Sequence, residues 1–185
     1  MFIFIYRKIR KVLFIINDNL EVKMDGLEMI YTRRSVRAFL EKPVDNVIIE
    51  KIIKAGKLAA TAINVQPVEI VVIEDKTLIE KIADTTDHGK FIKSAPLCFA
   101  VFCEDTKYYL EDGCAAVENM LLAARYFGVA TCWVAGDKKP YTEQIRELCG
   151  LMKGYKFINL IPAGYPLHDD SFKEKKIKKV GYKVI

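Results

Sequence analysis

The chain has 185 residues, of which 51% are apolar and 29% charged; this suits one domain with a buried core and excludes disordered, collagen-like and low-complexity classes. No apolar stretch reaches the ~18–20 residues of a membrane-spanning helix. The net charge of +5 lies at the ends, because residues 1–23 carry +3, residues 172–185 carry +5 and the body between them −3. Nucleic-acid binders more often spread basic residues over their folded elements, so we expect no nucleic-acid and no membrane partner.

The first 23 residues read as an extension or a misassigned start. They contain two short apolar runs split by five mostly basic residues, without the single apolar core and small-residue cleavage site of a secretory signal. Met24 then precedes a helix start of its own, Asp25 with Glu28 three residues later. We expect the folded domain to span residues 24–185.

Helices and strands alternate without a strict repeat along the rest of the chain. Apolar periodicity and aspartate caps predict five helices, at Asp25–Thr32, from Asp45 until it fades near Gly56–Thr61, from Asp75 through Ala83, at Tyr108–Phe127 and at Thr142–Cys149. Short apolar runs predict strands at Val68–Glu74, Leu97–Cys103, Val129–Val134 and Lys156–Pro162, and a strand-like end at Val180–Ile185. This mixture indicates the α+β class.

The helix predicted at Tyr108–Phe127 is apolar or small almost all round between Cys114 and Phe127. A surface helix would instead show one apolar stripe. Two explanations remain open: a central core helix, or a helix covered by a second subunit.

The cysteines and histidines do not form a recognisable set of metal ligands. Five cysteines lack C-x-x-C spacing and form an odd number, and the chain has two histidines. Free thiols in a reducing cytoplasm are the simpler interpretation. We expect a cytoplasmic protein without a metal site.

Three clusters could carry chemistry. The basic loop Arg33–Arg37 offers three guanidiniums and a hydroxyl, which suit a phosphate, although a solvated loop has the same composition. The polar loop Thr61–Pro67 offers amides for the edge of a heterocycle, or is simply a turn. The segment Thr131–Asp137 follows a strand with small residues that let a ligand approach backbone N–H groups, and its Trp133 fits the core better than a stacking role.

Taken in order, these clusters resemble the nitroreductase family of FMN-dependent oxidoreductases in its short form. The matching motifs are R-R-S-V-R at 33–37, A-x-N-x-Q-P at 62–67, D-G-x-A-A-x-E-N-M-L-L-A-A at 112–124, G-V-A-T-C-W at 128–133, A-G-Y-P at 163–166 and K-x-K at 173–175. The resemblance implies a three-layer sandwich with a central, mostly antiparallel sheet, forming an intertwined homodimer with FMN at the interface.

The resemblance also assigns cofactor-binding residues. Arg33, Arg34, Ser35 and Arg37 would bind the FMN phosphate and ribityl chain, with help from Lys173 and Lys175. Thr61, Ala62, Asn64 and, more loosely, Gln66 would come from the partner chain to flank the ring. Ala135 and Gly136 would present N–H groups to flavin N5 and O4, and Lys90 would stand near the pyrimidine edge.

The implied activity is transfer of hydride from NADH or NADPH through flavin N5 to a flat acceptor such as a nitroaromatic or quinone, with ping-pong kinetics. No protein side chain is expected to act as catalytic acid or base. The alternatives within flavin chemistry are a flavin carrier or sensor without turnover, and a specialised member that fragments the flavin or reductively dehalogenates an aromatic substrate. A further rival, based on the two charged ends, is a basic protein that binds nucleic acid or a membrane surface.

Overall fold

The structure is a computed structural model that describes residues 24–178 and 181–184. The predicted extension at residues 1–23 lies outside the described residues. Five helices are present in the described part: α1 (Gly26–Thr32), α2 (Asn46–Lys57), α3 (Lys76–Thr85), α4 (Tyr109–Tyr126) and α5 (Thr142–Leu148). The strands there are β1 (Val68–Ile73), β2 (Leu97–Glu104), β3 (Ala130–Thr131), β4 (Val134–Ala135) and β5 (Tyr155–Gly164). Two 3₁₀ turns occupy Ala62–Asn64 and Lys90–Ser94.

One antiparallel sheet joins these strands in the order β1–β2–β5–β3, with β4 also pairing with β5. β2 lies in the middle and is buried along seven of its eight residues. An apolar run of this kind is typical of a strand covered on both faces.

Residues of the sheet alternate between two cores. Phe99 and Val101 pack with α2 and α4 on one face, whereas Ala100 and Phe102 pack with α3 and α5 on the other. Each face buries apolar surface worth ~25 cal/mol per Å² removed from water. Helices on both faces of a sheet confirm the predicted three-layer α+β sandwich.

Local caps explain why three helices begin where the sequence predicts. The carboxylates of Asp25, Asp45 and Asp75 each accept a hydrogen bond from a first-turn N–H, at 3.1, 2.7 and 2.7 Å. A capping side chain of this kind contributes about 1 kcal/mol.

Helix α4 is not buried all round within one chain. Eight of its residues are buried, among them Ala116, Met120 and Ala124. Ala115, Leu122 and Tyr126 are half-buried and Glu118 and Asn119 are exposed, which defines one uncovered face. The first of the two explanations is therefore incomplete, and a helix covered by a second subunit stays a prediction.

Helix α1 is less covered than α4, since none of its residues is buried. Leu27, Ile30 and Tyr31 are each more than half exposed. A hydrogen bond of 2.9 Å from Arg125 Nε to Thr32 Oγ1 ties the end of α1 to α4.

Two strand predictions need correction. The strand predicted at Val129–Val134 is two short pieces, because Cys132 and Trp133 interrupt the ladder with β5. The strand-like end predicted at 180–185 is not a strand over residues 181–184, which have no pairing partner in the described part of the chain.

The described residues contain neither a membrane-spanning helix nor a cluster of metal ligands. None of the helices there combines the length and the apolar character needed to cross a membrane. In the same residues, no group of three or more histidine, cysteine, aspartate or glutamate side chains could hold a metal ion.

Candidate functional site

The basic loop lies against the broken edge of the sheet. Val36 is buried and its N–H donates to the carbonyl of Thr131 at 2.9 Å. Ser35 and Arg37, on either side of Val36, are exposed. The extended backbone thus buries Val36 and presents the polar side chains outward.

The three guanidiniums of the basic loop have different surroundings. Arg33 Nε lies 3.5 Å from the Glu118 carboxylate on α4. Arg34 donates to the Arg33 carbonyl at 3.0 Å. Arg37 donates to the Ser35 carbonyl at 3.3 Å and lies 5.6 Å from the Phe91 ring centroid. Neither Arg34 nor Arg37 has a carboxylate partner among the described residues, so both can accept an anion.

A cavity of about 850 Å³, here called the tail cavity, opens between the basic loop and the C-terminal tail. Its lining consists of Ile30, Tyr31, Arg33, Arg34, Glu174, Lys175, Lys176, Ile177 and Lys178. Five cations and one carboxylate give this cavity a strong positive potential. Anionic groups such as phosphate are the matching ligands.

A second cavity of about 260 Å³, the edge cavity, lies at the Arg37 end of the basic loop. It is lined by Arg37, His88, Phe91, Cys132, Trp133, Val134, Lys139 and Tyr141. Aromatic side chains beside cations suit a flat, partly polar ligand.

The Cys132 thiol shows how closely the basic loop approaches the edge cavity. Burial raises the pKa of Cys132, and the nearby Arg37 guanidinium and a hydrogen bond with Ser35 partly offset that rise. Ser35 and Arg37, which the family resemblance assigns to FMN, therefore lie beside the strand break at Cys132.

The turn after β4 is held at three points. A Cβ on Gly136 would overlap the buried ring of Phe157, so only glycine fits there. The Tyr109 hydroxyl of α4 donates to Asp137 Oδ1 at 2.9 Å. Lys139 Nζ lies 3.0 Å from Asp87, a contact that raises the pKa of Lys139.

The polar loop is strained and exposed. Ile63, Asn64 and Gln66 have φ of 47°, 58° and 54°, which costs a β-branched residue such as Ile63 of the order of 1–3 kcal/mol. Ile63 is 95% exposed. The backbone N–H of Ala62 donates to Asp112 Oδ1 at 2.9 Å, and Gln66 N–H to Thr61 Oγ1 at 3.1 Å. These residues line neither cavity.

Two predicted lysines face other partners in this chain. Lys90 Nζ donates to the Asp84 carbonyl at 2.7 Å and does not line the edge cavity, although His88 and Phe91 beside it do. Lys173 Nζ lies 2.7 Å from Asp170 and does not line the tail cavity, whereas Lys175 does.

Comparison with known proteins identifies the family of this chain. A model of the Nitroreductase family matches residues 30–96 and 88–165, a span that includes both loops, helix α4 and the strand break.

The chain belongs to the nitroreductase family.

Individual relatives match over most of their length. A protein of Archaeoglobus fulgidus, provisionally named an NADH dehydrogenase/NAD(P)H nitroreductase, is 33% identical over 156 residues, covering 80% of this chain and 89% of its own. A crystal structure of a similarly named protein from Bacteroides thetaiotaomicron has 30% identity and a TM-score of 0.78, covering 85% of this chain and 96% of its own. A nitroreductase with bound FMN from Bacteroides fragilis shares the fold, with a TM-score of 0.73 at 23% identity, covering 88% and 99%.

Helix α4 contacts all three predicted site segments of this nitroreductase. Tyr109 holds the turn after β4, Asp112 holds the polar loop and Glu118 lies beside Arg33. Because α4 packs through its buried face into the core, the hydrogen bonds of Tyr109 and Asp112 position the turn and the polar loop relative to one another.

Sequence reasoning did not select every residue of this candidate site. Lys139 lines the edge cavity and was not selected. Cys132 and Trp133 belong to the selected segment Thr131–Asp137 and line the same cavity, and Trp133 also packs on the core, as the sequence predicts. Asp112 lies within a family motif and could have been selected from it. The Tyr109–Asp137 pair had no sequence signal, because a contact across 28 positions depends on how α4 meets the sheet edge.

Proposed function

We propose that the protein is an FMN-dependent oxidoreductase that accepts hydride from NADH or NADPH and passes it to a flat acceptor such as a nitroaromatic or quinone. Bound FMN supplies the redox chemistry, since its ring can take up and release a hydride. The observation that carries the proposal is the position of the basic loop, which lines the tail cavity with Arg33 and Arg34 and the edge cavity with Arg37.

The tail cavity fits the phosphate end of the cofactor. Arg33, Arg34 and Lys175 converge on it, and guanidiniums bind phosphate through paired N–H donors. Lys173 joins this set only if its ion pair with Asp170 opens. We assign Ser35 to the same end, where its exposed hydroxyl supplies one more donor.

The edge cavity fits the ring end. Trp133 and Phe91 offer apolar surface, and Arg37 and Lys139 offer positive charge. We assign the backbone N–H groups of Ala135 and Gly136 to the polar edge of the ring. Lys90 belongs to this end by the family resemblance, and it reaches the ring only if its contacts with Asp84 open.

A second copy of the chain would complete the site. Thr61, Ala62, Asn64 and Gln66 line neither cavity of their own chain, and Ile63 between them is exposed. The uncovered face of α4 and the apolar side chains of α1 offer surface for association. We therefore propose a homodimer in which the polar loop reaches the partner's ring site.

Names of relatives support the donor and the cofactor. The Archaeoglobus fulgidus relative is named for NADH and NAD(P)H, and the Bacteroides fragilis structure contains FMN. A flavin carrier would share every phosphate contact, so turnover is the property that separates it from an enzyme.

The first test is an absorbance spectrum of the purified full chain, followed by anaerobic addition of NADH and of NADPH. Flavin bands that bleach with either nucleotide and return with a quinone or nitroaromatic acceptor support the oxidoreductase. Bands that persist with both nucleotides support a carrier. A colourless protein that does not take up FMN overturns the proposal.

A matched pair of ligands then tests the two ends of the site. Riboflavin lacks the phosphate, so Arg34→Ala should weaken binding of FMN and leave riboflavin unchanged. Lys81→Ala, an exposed lysine of α3 outside both cavities, serves as the charge control.

A further inference from the structure

We infer that Tyr109 is a positioning residue for the flavin ring: through its hydrogen bond to Asp137 it fixes the backbone of Ala135 and Gly136. This inference rests on the proposed function, since it assigns those two N–H groups to the ring. It adds a side chain from α4 to a site otherwise built from loops and the sheet edge.

The sheet alone holds this backbone weakly. β4 has two residues, and its ladder with β5 ends at the Ala135–Asn159 pair. Gly136 therefore lies just beyond the sheet, although its N–H must point at the flavin ring. A two-residue strand contributes little independent order.

The Asp137 side chain supplies the missing constraint. It follows Gly136 directly, and its Oδ1 accepts the Tyr109 hydroxyl proton at 2.9 Å. Tyr109 begins α4 and packs against the core between α4 and the sheet. The hydrogen bond thus joins the turn to the helix with the most buried residues in the described part of the chain.

The same geometry argues against Tyr109 as a proton donor to a substrate. Its proton is already directed at a carboxylate, and that hydrogen bond raises the pKa of Tyr109. A phenol held in this way keeps its proton and its orientation, which is what positioning requires.

The test compares FMN and riboflavin affinity in the full chain. In Tyr109→Phe, the dissociation constants of both ligands should rise by the same factor, about 3- to 10-fold, as expected for the loss of one hydrogen bond. Their ratio should stay at the wild-type value, because the tail cavity is untouched. Tyr155→Phe makes the same change in β5, where the hydroxyl has no hydrogen-bond partner among the described residues, and should leave both constants unchanged.

Asp137 provides the rescue and the coupling tests. Asp137→Asn keeps an oxygen acceptor for Tyr109 and should bind both ligands within about two-fold of wild type. Asp137→Ala should match Tyr109→Phe, and the double variant should be no weaker than either single one. The midpoint potential of bound flavin should move in the same direction in Tyr109→Phe and Asp137→Ala, a change that a purely structural role would not cause.

Each failure points to a different conclusion. Wild-type protein that binds neither ligand overturns the proposed function and this inference together. Wild-type protein that binds FMN while Tyr109→Phe leaves both affinities and the potential unchanged overturns this inference alone, as do additive effects in the double variant. If Tyr109→Phe does not fold, the affinities of Asp137→Ala alone test the inference, since the Asp137 side chain lies in a surface turn.

Discussion

Arg33 Nε lies 3.5 Å from the Glu118 carboxylate, so a predicted phosphate ligand is paired with an acid of the same chain. Both side chains are partly exposed, at 28% and 49%. A pair of this kind is weak, and a phosphate dianion approaching Arg33 meets a competing negative charge.

Glu118→Gln should therefore tighten FMN binding. Removing the carboxylate frees Arg33 and lowers the repulsion of the phosphate, for a gain of roughly two- to five-fold in affinity, the range of an exposed ion pair. Riboflavin affinity should stay constant. Fluorescence titration at low and physiological salt checks both, and weaker FMN binding in Glu118→Gln would show that the carboxylate orients Arg33 rather than competing for it.

The two tail lysines should contribute unequally to FMN binding. Lys175 lines the tail cavity with Arg33 and Arg34, whereas Lys173 is paired with Asp170. We expect Lys175→Ala to weaken FMN binding at least three-fold more than Lys173→Ala, because the lysine already engaged must first give up a partner. Equal losses in the two variants would contradict the distinction. Asp170→Asn, which releases Lys173, is the matched control and should tighten binding slightly.

The sequence predicted the helices well because their signals are local. Asp25, Asp45 and Asp75 cap the helices that follow them through bonds spanning two or three residues. The strand break at Cys132 and Trp133 could not be predicted, since it arises from pairing with β5 about 30 residues later. The strand-like end predicted at 180–185 shows the same limit. Its composition favours a strand, but a strand also needs a partner strand, which composition does not reveal.

For the site, the sequence found segments rather than contacts. The structure places Arg33, Arg34 and Lys175 around one cavity, although about 140 positions separate the two arginines from the lysine. The family resemblance implied this arrangement, whereas the residues alone did not. The supports from α4 were not predicted, because Tyr109, Asp112 and Glu118 act through their position on a helix whose packing is decided by the whole sheet.

Gly136→Ala should destabilise the fold. A methyl group there overlaps the Phe157 ring, which is 3% exposed and cannot move into solvent. We expect the free energy of unfolding to fall by about 1–3 kcal/mol, as in overpacked cores. Urea denaturation measures this loss. Gly26→Ala, where a Cβ meets no atom within 4 Å, is the control and should lose no stability.

Alkaline pH should destabilise the protein through its buried thiols. Burial raises the pKa of Cys103 to about 12 and of Cys149 to about 11, from 9.0. In the unfolded chain these thiols ionise near pH 9 while the folded ones stay neutral, so the unfolded state releases protons first and stability falls as pH rises from about 9 through 11–12. Below pH 9 this contribution is fully present.

Urea denaturation at several pH values from 8 to 10.5 checks the alkaline loss. Cys103→Ala should be less stable at pH 8 but should lose stability less steeply than wild type, by about one proton, or ~1.4 kcal/mol per pH unit. Identical slopes in the two proteins would show that Cys103 ionises alike in the folded and unfolded states.

Replacing Asn159 with leucine should stabilise the fold. Asn159 is fully buried in β5 opposite Ala135, and neither side-chain polar atom has a hydrogen-bond partner among the described residues. Leucine has a similar size and no polar group to desolvate, so Asn159→Leu should raise the free energy of unfolding by about 1–3 kcal/mol. Asn119→Leu, at an exposed amide that donates to Ala55, should give no such gain. A loss of stability in Asn159→Leu, or a gain that disappears when FMN is added, would instead mean that the amide hydrogen-bonds in the folded protein or in its complex with the cofactor.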